Sequence, residues 1–374
     1  MEPACAGRRH LLPPILSCTD LPVTRRAIRS ASKEREVMSS HDQLPAVLEV
    51  ADLSVEYRDH SRTVHAVTGL SLAVGRGKTL ALIGESGCGK TTAALAILGM
   101  LPASATVVSG TVTVTAEARP VNLLGLPARE LRMMRWRHIA YVPQGSISAL
   151  NPIQTVSRHF RQTAQAHNLA RRVAEARAYD LLAAVHLDPN RIWTSYPHEL
   201  SGGQRQRVSI AMAMLLEPAV IVLDEPTTAL DVLTQEAVLE TLLELQEATG
   251  VSYLAITHDL AVASAVADRI VTMYAGRPVE DGAAEQVVAE PLHPYTRALL
   301  KSMPSVDSDL AAEAIGGHPP SLAALPAGCS FHPRCAIAQE RCREAGHPEL
   351  IAIRGRQVAC PVTVDRIGSA EATA

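Results

Sequence analysis

The sequence predicts an α/β protein: a mostly parallel sheet covered by helices, with a helical insert and a small cysteine-containing C-terminal extension. Three observations carry that expectation. Hydrophobic residues make up 47% of the chain but aromatic residues only 3%. The core must therefore be aliphatic, as in parallel sheets whose strands are buried on both faces. Short aliphatic runs also alternate with stretches of helical period, and one such run feeds a glycine-rich loop followed by a helix-like segment.

Taken in order, LEVADLSVEY alternates apolar and polar residues like a half-buried strand, and VHAVTGLSLAV repeats the signal before the turn GRGK. TLALIG reads as a buried strand leading into the glycine loop and then the helix TTAALAILGML. Residues 107–142 read as further strand and turn, with VSGTVTVTA the clearest alternation. The character changes across residues 155–190, where ARRVAEARAYDLLAAVHL carries an apolar face at helical spacing with Arg and Glu opposite. AVIVLDEP is a second buried strand, VLETLLELQEATG a helix stopped by Gly250, and VSYLAITHD a third strand. AVADRIVTMYAGRPVEDG then suggests one or two short strands.

The bulk properties exclude several classes. A formal charge of −3 gives no global reason to expect nucleic acid as a partner. No apolar run reaches the roughly 18 residues of a membrane span, so no transmembrane helix is expected. Residues 1–37 carry Arg8, Arg9, Arg25, Arg26, Arg29 and Arg35 without sustained period, and Pro13 and Pro14 break the LLPPIL run that a signal peptide would need. This stretch reads either as a disordered basic arm or as sequence upstream of a true start at Met38. The second reading is preferred, because folded-looking sequence begins soon after Met38, and residues 1–45 are set apart as a tail.

The residues Gly84-Glu85-Ser86-Gly87-Cys88-Gly89-Lys90-Thr91 fit the P-loop pattern GxxxxGK[ST]. Glycines let backbone N–H groups wrap phosphates, and the following helix presents its positive end. Lys90 would reach the β- and γ-phosphates and Thr91 would offer a hydroxyl to Mg²⁺. A chance glycine turn is the bland reading, opposed by the strand before and the helix after. AVIVLDEP places Asp224 at the end of a strand, where it can hold Mg²⁺, and puts Glu225 beside it to polarise the attacking water. A pair of acids after a strand could be a plain turn, but not readily in a chain with a P-loop.

Leu200-Ser201-Gly202-Gly203-Gln204-Arg205-Gln206-Arg207-Val208 resembles the signature sequence of ABC ATPases. The other motifs of that family follow in order: Tyr57 matches the adenine-stacking aromatic, Gln144 the Q-loop, Ala229-Leu230-Asp231 the D-loop and His258 the switch histidine. Alone, Tyr57 would be a strand aromatic and His258 a loop residue; in register they are read together. The resemblance covers about residues 46–290. It implies a P-loop NTPase cassette with a RecA-like parallel-sheet core, an antiparallel β subdomain and an α-helical subdomain at about residues 145–215. It also implies ATP contacts from Tyr57, the loop Gly84 to Thr91, Thr92, Ser201, Gly202, Gly203, Gln204 and Asp231. Glu225, His258 and Gln144 would be catalytic, with Mg²⁺ held by Thr91, Gln144 and Asp224. The family works as a head-to-tail dimer in which one subunit's signature loop closes over ATP on the partner's P-loop. Two departures stand out. Cys88 takes a P-loop position where serine is common, and Gly145 follows Gln144 where an acid is common. Cys88 is read as a tolerated small residue, or else as a thiol made oxidisable by a helix N-terminus.

Beyond Pro291, the pieces HPYTRALL and GCSFHPRC resemble the C-terminal extension of oligopeptide, dipeptide and nickel importer ATPases, over about residues 288–362. That resemblance implies peptide import, with a nickel chelate as the alternative cargo. It implies a second related ATPase, two integral-membrane permeases and an extracytoplasmic substrate-binding protein as partners, with this chain peripheral on the cytoplasmic face of the cell membrane. A soluble ABC ATPase of translation or repair is the competing class. It is disfavoured because there is one P-loop, one signature and no long insert between them. Cys329, Cys335, Cys342 and Cys360 follow C-x5-C-x6-C-x17-C. Four thiolates suit zinc or an iron–sulfur cluster. The long spacings and the resembled family favour a [4Fe–4S] cluster over Zn²⁺ or unliganded thiols, in a structural role outside the ATP motifs. His318, His332 and His347 are read as loop residues.

Overall fold

A computed structural model describes residues 46–59, 62–117, 119–145, 150–302, 313–344 and 346–371. The expectations for residues 1–45 lie outside them. Strands β1 (Ala46–Asp59) and β2 (Arg62–Gly75) form a long antiparallel pair. Leu53 lies opposite Leu70 and Val55 opposite Val67, all buried. Those cross-strand apolar pairs are what the alternation in the sequence requires, since one face of the pair must be dry. Strands β4 (Ala105–Ala116) and β5 (Arg119–Asn122) complete a four-stranded antiparallel sheet, ordered β2-β1-β4-β5.

The second sheet has eight strands. Its parallel centre joins β3 (Thr79–Ile83), β6 (Ile139–Val142), β7 (Val220–Asp224), β8 (Ser252–Thr257) and β9 (Arg269–Tyr274). Strand β10 (Arg277–Ala283) runs antiparallel to β9, and the hairpin β11 (Ile351–Ile353) and β12 (Arg356–Val358) is added beyond it. The order is β11-β12-β10-β9-β3-β8-β7-β6. Every residue of β3, β7 and β8 is buried, the reason these strands read as unbroken aliphatic runs.

Successive side chains of β3 serve two cores. Leu80 and Leu82 face the antiparallel sheet and the helix Lys90–Ile97, while Ala81 and Ile83 face a cluster that includes Leu260, Tyr274, Tyr295 and Phe331. Burying a side chain such as Leu82 or Ile83 contributes about 1.5–3 kcal/mol. The glycine loop between β3 and its helix is thus anchored on both sides. A third core lies under the helices Val156–Ala166, Arg171–Ala184, Pro189–Thr194 and Gly202–Met214. Its aromatic nucleus is Trp193, with ring centroids 5.9 Å from Phe160 and 5.2 Å from Tyr179. Among the described residues, no helix is long and apolar enough to cross a membrane.

Two features depart from the sequence reading. Residues 107–142 hold a helix, Ala128–Arg137, in place of strand and turn alone, with backbone outside the helical region at Arg135 and Trp136. None of its residues is buried, so no apolar period marks it. Arg135 ties it to the P-loop helix, donating from Nε to the Leu98 carbonyl at 2.7 Å. The second is the hairpin β11–β12, whose ladder bonds make the C-terminal extension continuous with the core sheet.

Candidate active site

The glycine loop is shaped by two close backbone approaches. Gly84 has φ of 154° and a Cβ there would sit 2.2 Å from the Met273 carbonyl oxygen; at Gly89, φ of 105°, it would sit 2.3 Å from the Ala66 carbonyl oxygen. Only glycine fits either place, so the loop can press against β9 and β2. Gly89 then starts the helix Lys90–Ile97 in a left-handed conformation. Lys90 is buried, and its ammonium donates to the carbonyls of Gly84 at 2.7 Å and Glu85 at 2.9 Å. A cation is thereby held over the loop where phosphate charge would arrive. Tyr57 reaches the same helix, its hydroxyl 3.5 Å from Thr92 Oγ1.

The end of β7 supplies the acids. Asp224 is fully buried and its two oxygens are engaged separately: Thr91 Oγ1 donates at 3.4 Å and the Tyr141 hydroxyl at 3.1 Å. Burial raises the Asp224 pKa, and the neighbouring Glu225 pushes the same way against the two hydrogen bonds. Thr91 and Asp224 together offer the oxygen donors a hard dication prefers. Glu225 leaves the strand with φ of 49°, its N–H bonded to the Ile256 carbonyl at 2.8 Å, which turns its carboxylate away from that of Asp224. Gln144 Nε2 donates to Glu225 Oε2 at 2.6 Å, Thr228 Oγ1 donates to the same oxygen at 2.9 Å, and His258 Nδ1 lies 3.1 Å from Oε1. Two of the expected residues, Gln144 and His258, far apart in sequence, therefore meet on the carboxylate of a third, Glu225.

The signature segment is built differently. Ser201 caps the helix Gly202–Met214 in a capping box: its Oγ accepts from the Gln204 N–H at 3.3 Å, and Gln204 Oε1 accepts from the Ser201 N–H at 3.0 Å. A Cβ on Gly203 would lie 2.2 Å from Thr234 Cγ2. Thr234 in turn belongs to the cap made by Asp231, whose Oδ1 accepts its N–H at 3.0 Å. The signature and D-loop residues are thus packed on each other. Among the described residues, no hydrogen bond joins Ser201, Gly202, Gly203 or Gln204 to the P-loop.

Cys88 is buried, and burial raises its pKa in spite of Lys90 beside it. That environment suits the small-residue reading and opposes an activated thiol. The four other cysteines, Cys329, Cys335, Cys342 and Cys360, line one cavity of about 70 Å³ with Phe331 and Ile337. Burial, and then the neighbouring thiols, raise Cys329 to about 11, and burial raises Cys335 as well. A cationic centre would reverse that resistance to ionisation. No group of three or more His, Cys, Asp or Glu among the described residues is arranged to hold a metal ion. His332 Nδ1 lies 2.9 Å from the Cys329 carbonyl oxygen and His347 Nδ1 3.4 Å from Ser330 Oγ, while His318 is exposed.

Sequence reasoning passed over Tyr141, Thr228, Tyr295 and Arg334, each of which touches a motif residue. Arg334 and Tyr295 had a signal, standing inside the quoted GCSFHPRC and HPYTRALL segments; Tyr141 and Thr228 had none.

Comparison with known proteins agrees with this architecture. Residues 67–228 match the family model described as ABC transporter, and residues 279–342 match the oligopeptide/dipeptide transporter C-terminal region. The chain is 40% identical to a dipeptide transport ATP-binding protein, DppD, of Caldanaerobacter subterraneus subsp. tengcongensis, over 84% of this chain and 96% of that one. It is 38% identical to DppD of Haemophilus influenzae, over 87% of this chain and 98% of that one. Among solved structures it resembles a dimeric ATP-binding cassette bound to ADP and Pi. The TM-score is 0.55 and the identity 26%, covering 63% of this chain and 98% of that one.

Proposed function

Since the chain belongs to the ATP-binding subunits of oligopeptide and dipeptide ABC transporters, we propose that it hydrolyses ATP to drive peptide import across the cytoplasmic membrane. The observation that carries this reading is the meeting of Gln144 and His258 on Glu225, one residue from the Asp224–Thr91 pair, in a chain with the peptide-importer C-terminal region. Phosphoryl transfer asks mainly for positioning and charge neutralisation. Lys90 exchanges its carbonyl partners for phosphate oxygens, and the loop amides from Ser86 to Thr92 cradle the chain of phosphates. Tyr57 stacks on adenine. Glu225 orients water and takes its proton, His258 fixes that carboxylate and the γ-phosphate, and Gln144 links the site to the membrane subunits. Thr91, Asp224 and Gln144 would hold Mg²⁺, which when bound would supply charge neutralisation for the phosphates.

Ser201 and the amides of Gly202, Gly203 and Gln204, with Asp231, act on ATP bound by a second ATPase subunit. The packing of Gly203 on Thr234, inside the cap made by Asp231, supports treating these residues as one unit. The assembly is a heterodimer of related ATPases under two permeases, served by an extracytoplasmic binding protein, and this chain lies peripherally on the cytoplasmic face. To test it, the tagged chain is recovered from detergent-solubilised membranes. Two multi-span membrane proteins should accompany it, and peptide with binding protein should stimulate its ATPase activity in vesicles. Recovery with ribosomes and no membrane proteins would overturn the transport reading.

For the C-terminal thiols we propose a [4Fe–4S] cluster held by Cys329, Cys335, Cys342 and Cys360. Support comes from the cavity that the four cysteines line together and from their long sequence spacings. When bound, the cluster would supply the positive centre that lets the four cavity-lining thiols ionise. Anaerobically purified protein should be brown, with iron and acid-labile sulfide in equal amounts. A colourless protein containing one equivalent of zinc would replace the cluster with a single ion.

A further inference from the structure

The P-loop is gripped from outside the nucleotide motifs. Glu85, its second residue, receives a two-pronged ion pair from Arg334 in the C-terminal extension. Nη1 donates to Oε2 at 2.7 Å and Nη2 to Oε1 at 2.9 Å. The Arg334 side chain is only 5% exposed, against 21% for Glu85, so this is no surface pair. The guanidinium is fixed by further partners: Nε donates to the Gly316 carbonyl at 2.9 Å, Nη1 to the Tyr274 hydroxyl at 3.2 Å, and its carbon lies 5.8 Å from the Tyr274 ring centroid. A planar fork already locked in place loses little freedom in holding a carboxylate.

The backbone of Glu85 is held as well. Its N–H donates to the Tyr295 hydroxyl at 2.7 Å. Tyr295, Tyr274 and Phe331 form one aromatic cluster, with centroids 4.5 to 5.4 Å apart. Tyr295 lies in the HPYTRALL segment and Phe331 in the turn between Cys329 and Cys335. The Glu85 carbonyl, one of the two that hold the Lys90 ammonium, is therefore aimed by contacts on both sides of its own residue. A nest of amides binds anions only while its peptides keep their orientation, and here that orientation is set by residues absent from the motifs.

We infer that Arg334 is a positioning residue for the P-loop, through which the C-terminal extension sets the nucleotide affinity of its own subunit. The inference rests on the ATPase reading above. If Arg334 only stapled the extension down, its loss would lower stability and leave nucleotide affinity unchanged. The test is binding of a fluorescent ATP analogue with Mg²⁺ by the full chain, alongside thermal unfolding. R334M and E85Q should each raise Kd about tenfold, the scale of one charge-assisted fork. The double variant should raise it no further than the larger single effect, and R334K should recover part of the loss. If R334M fails to fold, E85Q and R334K carry the comparison. Kd within twofold of the unaltered chain in E85Q and R334M, or effects that simply multiply in the double variant, would overturn the inference. No nucleotide binding by the unaltered chain would overturn the ATPase reading and the positioning role with it.

Discussion

Replacing Glu225 by glutamine is expected to slow ATP turnover by about 10²–10⁴-fold, the usual contribution of a positioned proton acceptor, while MgATP still binds. Glutamine keeps the length of the side chain and can still meet Thr228 and His258, whose contacts with Glu225 are 2.9 and 3.1 Å. What it cannot do is accept the proton of the attacking water. Binding should persist because Lys90, Thr91 and Asp224 are untouched, and the left-handed turn at residue 225 (φ 49°) is one that Gln can adopt at similar cost. Steady-state phosphate release and nucleotide binding, measured on the same preparation, separate the two effects. Turnover within tenfold of the unaltered enzyme would remove Glu225 from the role of base.

The second large effect concerns stability. Glu280 on β10 is 0% exposed, and its oxygens accept the N–H groups of Leu292 and His293, each at 2.9 Å. Its cation is Arg356 on β12, 3.7 Å away and 3% exposed, which also donates to the carbonyls of Gln286 at 2.9 Å and Glu290 at 2.6 Å. R356M should cost about 3–5 kcal/mol, because removing one partner leaves the other charge buried without compensation. Burial already raises the Glu280 pKa, and loss of Arg356 raises it further. A carboxyl whose folded pKa lies above its unfolded value favours the folded state at low pH, and that advantage is lost as pH rises through the folded pKa. The gap between R356M and the unaltered chain should therefore be widest near neutral pH and should narrow in acid. Urea denaturation at several pH values measures it; a gap below about 1 kcal/mol at neutral pH would mean the pair is not the anchor proposed.

What the sequence disclosed and what it hid follow from the range of the interactions. Strands β3, β7 and β8 are buried on both faces, so their composition announces them. The helix Gly202–Met214 begins with a local capping box that can be read from Ser201 and Gln204 alone. The helix Ala128–Arg137 has no fully buried residue and packs only Leu131, Met134 and Trp136 partly against the cores, too few to make a clear period. Strands β11 and β12, three residues each, are too short to alternate visibly. The motif residues Gln144, Glu225 and His258 were identifiable one by one, but their meeting on a single carboxylate depends on how β7 and β8 align. The Arg334–Glu85 pair spans 249 positions, and nothing local to either residue reports the other. For the same reason the extension read as remote from the ATP motifs, although it touches the P-loop.

The hairpin β11–β12 also decides where this protein can be cut. With it in place, the backbone groups of β10 that face away from β9 are satisfied at Glu280 and Asp281 by β12. Trimming the chain to its nucleotide motifs would not free a self-contained cassette. It would bare a rim of unpaired amides and carbonyls beside an uncovered carboxylate, the kind of edge on which chains pair with one another and precipitate. A truncation meant to keep this rim covered must therefore run well past the last nucleotide motif, to the strand that closes it.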